Sequence, residues 1–251
     1  RLLLMTETSA EVNAWHGKVD ALERRLRPLF RRRSRLGGPA YFDTKDFPVA
    51  KTLEGSYPAI RAEFDKVRVR MADFPLFQDI SPEQVYISND DKWKMFFLKS
   101  NNIRFEKNCE QFPETMKAVD SDPSIVSAYF SILESNKMLV PHEGPWSGVL
   151  RMHLGVDIPT DGKGCTLSVK GEQYRWKDGE VVVFDDTYEH FAINLTDHPR
   201  VVLFMDCMRP LPWLLHTLNK LCIYIGRFFP YYKVPLQRHR EWEKKFYGED
   251  S

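Results

Sequence analysis

The sequence predicts a mainly β core of the antiparallel barrel or jelly-roll kind, with helices before it and an amphipathic helix after it. Three observations carry that expectation. From about residue 125 the apolar residues change from three-and-four spacing to alternation, the alternating runs are short and divided by hairpin turn signals, and helical spacing returns after Pro210. Short strands joined by tight turns assemble into antiparallel sheets, because parallel pairs need long crossovers. The 251 residues, 43% hydrophobic and 28% charged, suffice for one substantial core and leave little room for two full domains.

Taken in order, residues 1–36 read as a helix, with Val12, Trp15, Val19, Leu22, Leu26, Leu29 and Phe30 on one side and the breaker Gly37-Gly38-Pro39 after it. Seven arginines fall between Arg24 and Arg35, while the formal net charge of the chain is only +1. The charge is therefore local and does not call for nucleic acid. The basic run reads either as a solvated face or as a contact with an anionic membrane surface. A second helix is expected over about 52–72 (Leu53, Ile60, Phe64, Val67, Met71) and a third over about 110–120, ended by Ser121-Asp122-Pro123. The segment 41–124 thus reads as mostly helical.

The β core is expected over 125–210, in the runs IVSAYFSIL, GVLRMHLGV, CTLSV, EQYRW, EVVVFDD, HFAIN and RVVLFMDCM. Turn signals divide them at Asp161-Gly162, Lys170-Gly171-Glu172 and Asp178-Gly179. Over 211–251 the pattern Leu211, Leu214, Leu215, Leu218, Leu221, Cys222, Ile225, Phe228 and Phe229 makes a wide apolar face. With Trp213, Tyr224, Tyr231, Tyr232, Lys220, Arg227 and Lys233, it reads either as an interfacial helix or as a helix packed on the barrel. Four cysteines without CxxC spacing suggest a reducing compartment. No run approaches the roughly 18 apolar residues of a spanning helix, and the start at Arg1 leaves room for an anchor upstream. The expected location is cytoplasmic and peripheral, on the cytoplasmic face of the inner membrane.

Alternate residues of a strand share a face, so Arg151, His153 and Gly155 point one way and Leu150, Met152 and Leu154 the other. If the apolar set packs outward, the first set places a cation and an imidazole inside the barrel, a costly interior unless a ligand or metal satisfies it. By the same rule His190, Ala192 and Asn194 share a face, as do Arg200, Val202, Phe204 and Asp206. Two histidines on different strands suit either a hydrogen-bonded core or Fe(II). The usual iron oxygenase site adds a carboxylate two residues on, where this chain has Gly155.

The segments VPHEGPWSGVLRMHLGV and YRWKDGEVVVFDDTYEHFAINLTDHPRVVLFMD, followed by RP, closely resemble the aspartyl/asparaginyl β-hydroxylase family of 2-oxoglutarate-dependent oxygenases. The resemblance spans about 125–210 and is closest to the bacterial lipid A 2-hydroxylase-like branch. It implies a double-stranded β-helix of cupin-like type, with Fe(II), 2-oxoglutarate and O2 as cofactor and cosubstrates. In that family two histidines hold the iron and glycine replaces the acid, so His153 and His190 take the ligand roles. Arg200 would pair with the C5 carboxylate of 2-oxoglutarate, for which a planar guanidinium is suited. His142 and Arg151 match positions lining the cosubstrate site. Where the family often supplies a further basic residue after Cys165, this chain has Thr166 and Ser168, which are expected at the cosubstrate with Arg151 compensating.

Asp185 and Asp186 are assigned hydrogen-bonding roles, Trp176 a place in the core, and the sequon Asn194-Leu195-Thr196 no role. The resemblance implies hydroxylation of a C–H bond on the acyl chain of a lipid A or ornithine-lipid type substrate. The alternative is β-hydroxylation of Asp or Asn in a peptide, protein or free amino acid. A non-enzymatic jelly-roll binding protein is the reading outside that class, and such a protein has no need to keep His153, His190 and Arg200 together. Nothing in the sequence sets an oligomeric state.

Overall fold

Strand alternation brings the β-forming runs into two antiparallel sheets in the computed structural model, which describes residues 9–160 and 164–248. Helix α1 (Ser9–Arg33) comes first, followed by β1 (Tyr41–Phe42), α2 (Pro48–Val67), the single turn α3 (Phe77–Ile80), β2 (Trp93–Ser100), β3 (Ile103–Arg104), α4 (Glu106–Glu110) and α5 (Pro113–Asp120). The β core holds β4 (Ile125–Leu133), β5 (Lys137–Met138), β6 (Val149–Asp157), β7 (Cys165–Val169), β8 (Glu172–Arg175), β9 (Val181–Phe184), β10 (His190–Asn194) and β11 (Arg200–Met208). Two helices, α6 (Trp213–Gly226) and α7 (Pro230–Tyr247), follow. The major sheet has the order β1-β9-β6-β11-β4-β2-β3 and the minor sheet β5-β10-β7-β8. This two-sheet arrangement is the expected jelly-roll, double-stranded β-helix core.

The inward and outward faces follow the alternation. Leu150, Met152, Leu154 and Val156 of β6 and Val201, Leu203 and Met205 of β11 pack with Leu53, Ile60 and Phe64 of α2 and Met116 and Val119 of α5 on the outer face of the major sheet. The inner face carries Tyr129, Leu133, Val182, Phe184, Val202 and Phe204, which meet Leu167, Val169 and Ala192 of the minor sheet. A third cluster joins Phe30 of α1 to Val126, Trp146, Val149, Met208 and Leu211, with Leu26, Leu215, Cys222 and Ile223 against it. Between β7 and β8, Lys170 and Gly171 both take positive φ (53° and 81°), as a two-residue hairpin requires.

Several expectations change. The segment 41–124 is not all helical, because β2 is a full strand paired with β4. Its run WKMFFLKS hides the alternation, since Trp93 and Met95 face inward, Phe96 and Leu98 face outward, and the register shifts between Phe97 and Lys99. The second helix starts earlier than expected, at Pro48, whose missing N–H suits a helix start. A 3-10 stretch over Arg68–Asp73 continues it. The third expected helix is two, α4 and α5, divided before Pro113. The segment expected to form one amphipathic helix over 211–251 is two, and the signal of the second, α7, is weakened by Pro235 inside it. The start of the first expected helix, residues 1–8, and the turn at Asp161-Gly162 lie outside the described residues, as do the side chains of Val12, Trp15, Val19, Tyr231 and Tyr232.

Candidate active site

The two sheets enclose a cavity of about 190 Å³ whose wall includes His142, Arg151, His153, Asp186, His190 and Arg200. His153 stands on β6 between Phe184, Phe204 and Trp176, with ring centroids 5.0, 4.8 and 6.0 Å away. Neither of its ring nitrogens has a hydrogen-bond partner. Burial pushes its pKa well down, with Arg200 and Arg151 adding to the effect, so the ring is neutral and offers a lone pair. His190, the first residue of β10, donates from Nδ1–H to the Tyr188 carbonyl oxygen at 3.0 Å. That bond fixes the tautomer and leaves Nε2 as the lone-pair atom facing the site. Burial lowers its pKa too, partly offset by Asp186.

Arg200 begins β11 on the same inner face and is 2% exposed. Its Nε and Nη1 find no hydrogen-bond partner, and its guanidinium lies 4.8 Å from the Trp176 ring. Burial brings its pKa down to about 10. A buried guanidinium left in that condition is costly by itself and fits an anionic ligand.

The other cation is already neutralised. Arg151 pairs through Nη2 with Asp186 and through Nε with Asp206 at 3.3 Å, and it lies 4.2 Å from the Phe204 ring. These two carboxylates raise its pKa against the opposing effect of burial. Arg151 therefore sits at the expected cavity with its charge committed to two acids. His142 is beside His190, ring centroids 4.2 Å apart, and donates from Nδ1–H to the Val140 carbonyl oxygen at 2.7 Å. Burial brings its pKa down to about 4.

Thr166 and Ser168 do not join the group. Leu167 is the inward residue of β7, opposite Ala192, while Thr166 pairs with Ile193 and Ser168 with Phe191 on the far face. Side-chain period two excludes both from the cavity, and Leu167 supplies an apolar wall in their place. Sequence reasoning gives two residues beside the site no part in it. Asp206 shares the inner face with Arg200 by simple parity, which was a usable signal. Trp176 is buried as expected but lies against both Arg200 and His153, and no local pattern places it there.

Gly155 occupies the place of the missing acid for a steric reason. A Cβ there would lie 2.1 Å from the Lys177 carbonyl oxygen, because the strand donates a backbone bond from Gly155 N–H to Glu180 O (3.1 Å) and accepts one at Gly155 O from Gly179 N–H (3.0 Å). No side chain fits. Among the described residues no group of three or more His, Cys, Asp or Glu is placed to hold a metal.

The helix α1 braces the loop before His190. Asp185 is fully buried between Arg209 (2.7 Å) and Arg31 (3.5 Å), and Arg31 also donates to Thr187 Oγ1 at 2.7 Å. Glu23 accepts from Ser147 N–H and Oγ–H at 3.1 and 3.0 Å and pairs with Arg27. The arginine run thus divides: Arg27 and Arg31 are docked on the core, while Arg24, Arg25, Arg32, Arg33 and Arg35 are exposed.

A model of the Aspartyl/Asparaginyl beta-hydroxylase family matches residues 54–210. The chain belongs to this family. It is 43% identical over 216 residues to the ornithine lipid ester-linked acyl 2-hydroxylase of Rhizobium tropici, covering 86% of this chain and 77% of that protein. It is also 28% identical over 172 residues to the human aspartate beta-hydroxylase domain-containing protein 2, covering 64% of this chain and 44% of that protein. The match to the human aspartyl/asparaginyl beta-hydroxylase reaches 28% identity and 21% of that protein. Among solved structures, a Pseudomonas putida prolyl-4-hydroxylase superposes with a TM-score of 0.42 at 12% identity, covering 64% of this chain and 98% of that one. Membership of the family makes the chain a hydroxylase, an oxidoreductase.

Proposed function

We propose that this hydroxylase uses Fe(II), 2-oxoglutarate and O2 to hydroxylate the acyl chain of a membrane lipid of the ornithine-lipid or lipid A type. The observation that carries the cofactor reading is the buried Arg200, without partners at Nε and Nη1, in one cavity with the two orphaned nitrogens of His153. These groups fit a dicarboxylate anchored at Arg200 and a metal held by His153 Nε2 or Nδ1 and His190 Nε2. Bound iron would supply the activation of dioxygen that couples oxidation of 2-oxoglutarate to insertion of oxygen into a C–H bond.

The chain's own residues bind, orient and exclude water. Arg200 presents two N–H groups to one carboxylate, and Trp176 covers its face against solvent. Leu167, Ala192 and Leu139 line the cavity and offer an apolar surface to the methylenes between the two carboxylates. Asp186 and Asp206 offset the positive charge of Arg151 where the uncharged acyl chain must approach. Phe77, Trp93, Met95, Phe97 and Tyr129 continue the wall, a surface better suited to hydrocarbon than to a charged side chain. The 43% identity to a lipid acyl hydroxylase supports the same choice.

The test uses the purified chain with Fe(II), 2-oxoglutarate and detergent-dispersed ornithine lipid, following succinate and the gain of one oxygen on the acyl chain. His153→Ala and His190→Ala are expected to abolish both while retaining the fold, since each strand keeps its apolar outer face. Succinate formation on an Asp-containing peptide or a free amino acid, with none on lipid, would replace the lipid reading by side-chain hydroxylation. No iron dependence at all would refute the cofactor reading.

A further inference from the structure

Helix α6 is apolar on two sides. Leu215, Cys222 and Ile223 pack toward the third core cluster, while Leu214, Leu218, Leu221, Ile225 and Phe228, at spacings of four and three, form an exposed stripe flanked by Trp213 and Tyr224. Trp213 is 76% and Phe228 62% exposed. An apolar face of this extent is an interaction surface. From Cys207 to Arg240 the chain has no Asp or Glu, while Arg209, Lys220, Arg227, Lys233, Arg238 and Arg240 lie within that span. Arg227 stacks on Tyr224 at 3.7 Å, and Arg35 is tied to the start of α6 through its N–H to Pro210 O at 2.9 Å. Two copies of this face set against each other would oppose like charges, whereas an anionic bilayer complements both the stripe and its rim. At 14 residues the helix is about 21 Å long, too short to cross a bilayer core of about 30 Å, so it lies on the surface.

The face also adjoins an opening. A second cavity of about 340 Å³ lies beside α6, lined by Pro123, Met208, Lys220, Tyr224 and Arg227 among others. It shares Asn101, Val126 and Ile223 with the cavity that contains His153 and His190. We propose that α6 seats the protein on an anionic bilayer, and that the opening between α6, the β2–β3 turn and the start of β4 admits one acyl chain from it. Lys220 and Arg227 hold the anionic headgroup at the mouth, and Ile223, which lines both cavities, borders the passage. This rests on the lipid-hydroxylase reading for its destination, while the docking face stands on its own geometry and the passage on the lining the two cavities share.

The experiment sediments the full chain with phosphatidylglycerol or phosphatidylcholine vesicles and follows uptake of a pyrene-labelled phosphatidylglycerol in detergent. Binding is expected to phosphatidylglycerol, weakening with salt. Combining Trp213→Ser with Phe228→Ser should lower vesicle partition about tenfold or more, and Lys220→Gln and Arg227→Gln about fivefold each. Ile223→Trp should lower uptake of the pyrene lipid about tenfold by narrowing the passage, with 2-oxoglutarate binding as the control for folding.

Wild-type protein that ignores phosphatidylglycerol vesicles at low salt, or variants that bind them like the wild type, would overturn the docking face. A concentration-dependent dimer abolished by the Trp213 and Phe228 changes, without vesicle binding, would assign the face to a second copy instead. Unchanged uptake in Ile223→Trp would overturn the passage. Failure of the lipid reading looks different: vesicle binding and lipid uptake persist, and no oxygen is gained by the acyl chain.

Discussion

Replacing Gly155 tests whether packing alone excludes a side chain at this position. In Gly155→Ala the new Cβ would stand 2.1 Å from Lys177 O and 2.9 Å from its carbonyl carbon, so the backbones must separate by about 1.3 Å to reach an ordinary contact of roughly 3.4 Å. That separation strains the bonds Gly155 N–H to Glu180 O and Gly179 N–H to Gly155 O. Overpacking costs about 1–3 kcal/mol and two weakened hydrogen bonds about 1 kcal/mol each. The expected loss is about 3–5 kcal/mol, a large share of the roughly 5–15 kcal/mol that holds a domain. In a chain of this size each kcal/mol moves Tm by about 2–4 °C, so thermal unfolding followed by circular dichroism should drop by roughly 10 °C. Gly155→Asp meets the same carbonyl and should lose stability similarly without gaining metal affinity, measured by titration calorimetry with Fe(II) under anaerobic conditions. An alanine variant that melts like the wild type, or an aspartate variant that binds metal more tightly at unchanged Tm, would refute the reasoning.

Three further outcomes follow from the site and its supports. Arg200→Lys keeps the charge but loses the two-pronged geometry, and Arg200→Met removes both. 2-Oxoglutarate binding should weaken about 30-fold or more in the methionine variant, yet its ligand-free protein should melt higher because an unpaired buried charge is gone; a lower melting point would mean that Arg200 serves the fold. His239, caged by Phe97, Phe105 and Trp242, has its pKa lowered by burial from 6.5 to about 3. The unfolded chain therefore takes up this proton first, so stability is full above pH 6.5, falls as pH drops toward about 3 and changes no further below it. The loss is about 2 kcal/mol at pH 5, and denaturant titrations should show a flatter acid limb in His239→Leu; an identical pH dependence would count against it. Glu23→Gln keeps an acceptor for Ser147 but loses the charge facing Arg27, and hydrogen exchange in 143–147 should quicken about tenfold, whereas unchanged exchange would show that α1 does not brace this segment.

Much of this site is legible in one dimension because strand geometry is periodic. Once β6, β10 and β11 are recognised, parity puts Arg151 with His153 and Arg200 with Asp206 on shared faces, the apolar opposite face of β6 marks the outward side, and the motifs around them identify the family. The hairpin at Lys170-Gly171 and the two-sided apolar character of α6 are likewise local properties of the chain. What the sequence did not disclose depends on which surfaces meet. Parity could not say which face of β7 turns inward, so Thr166 and Ser168 were expected where Leu167 stands. Nor could it reveal that the Lys177 carbonyl fills the space beside Gly155, that Asp186 and Asp206 claim Arg151 while Nε and Nη1 of Arg200 have no hydrogen-bond partner, or that two of seven clustered arginines are bound to the core. These are contacts between residues distant along the chain, and only the closing of the two sheets and the docking of α1 and α6 decides which charges find partners.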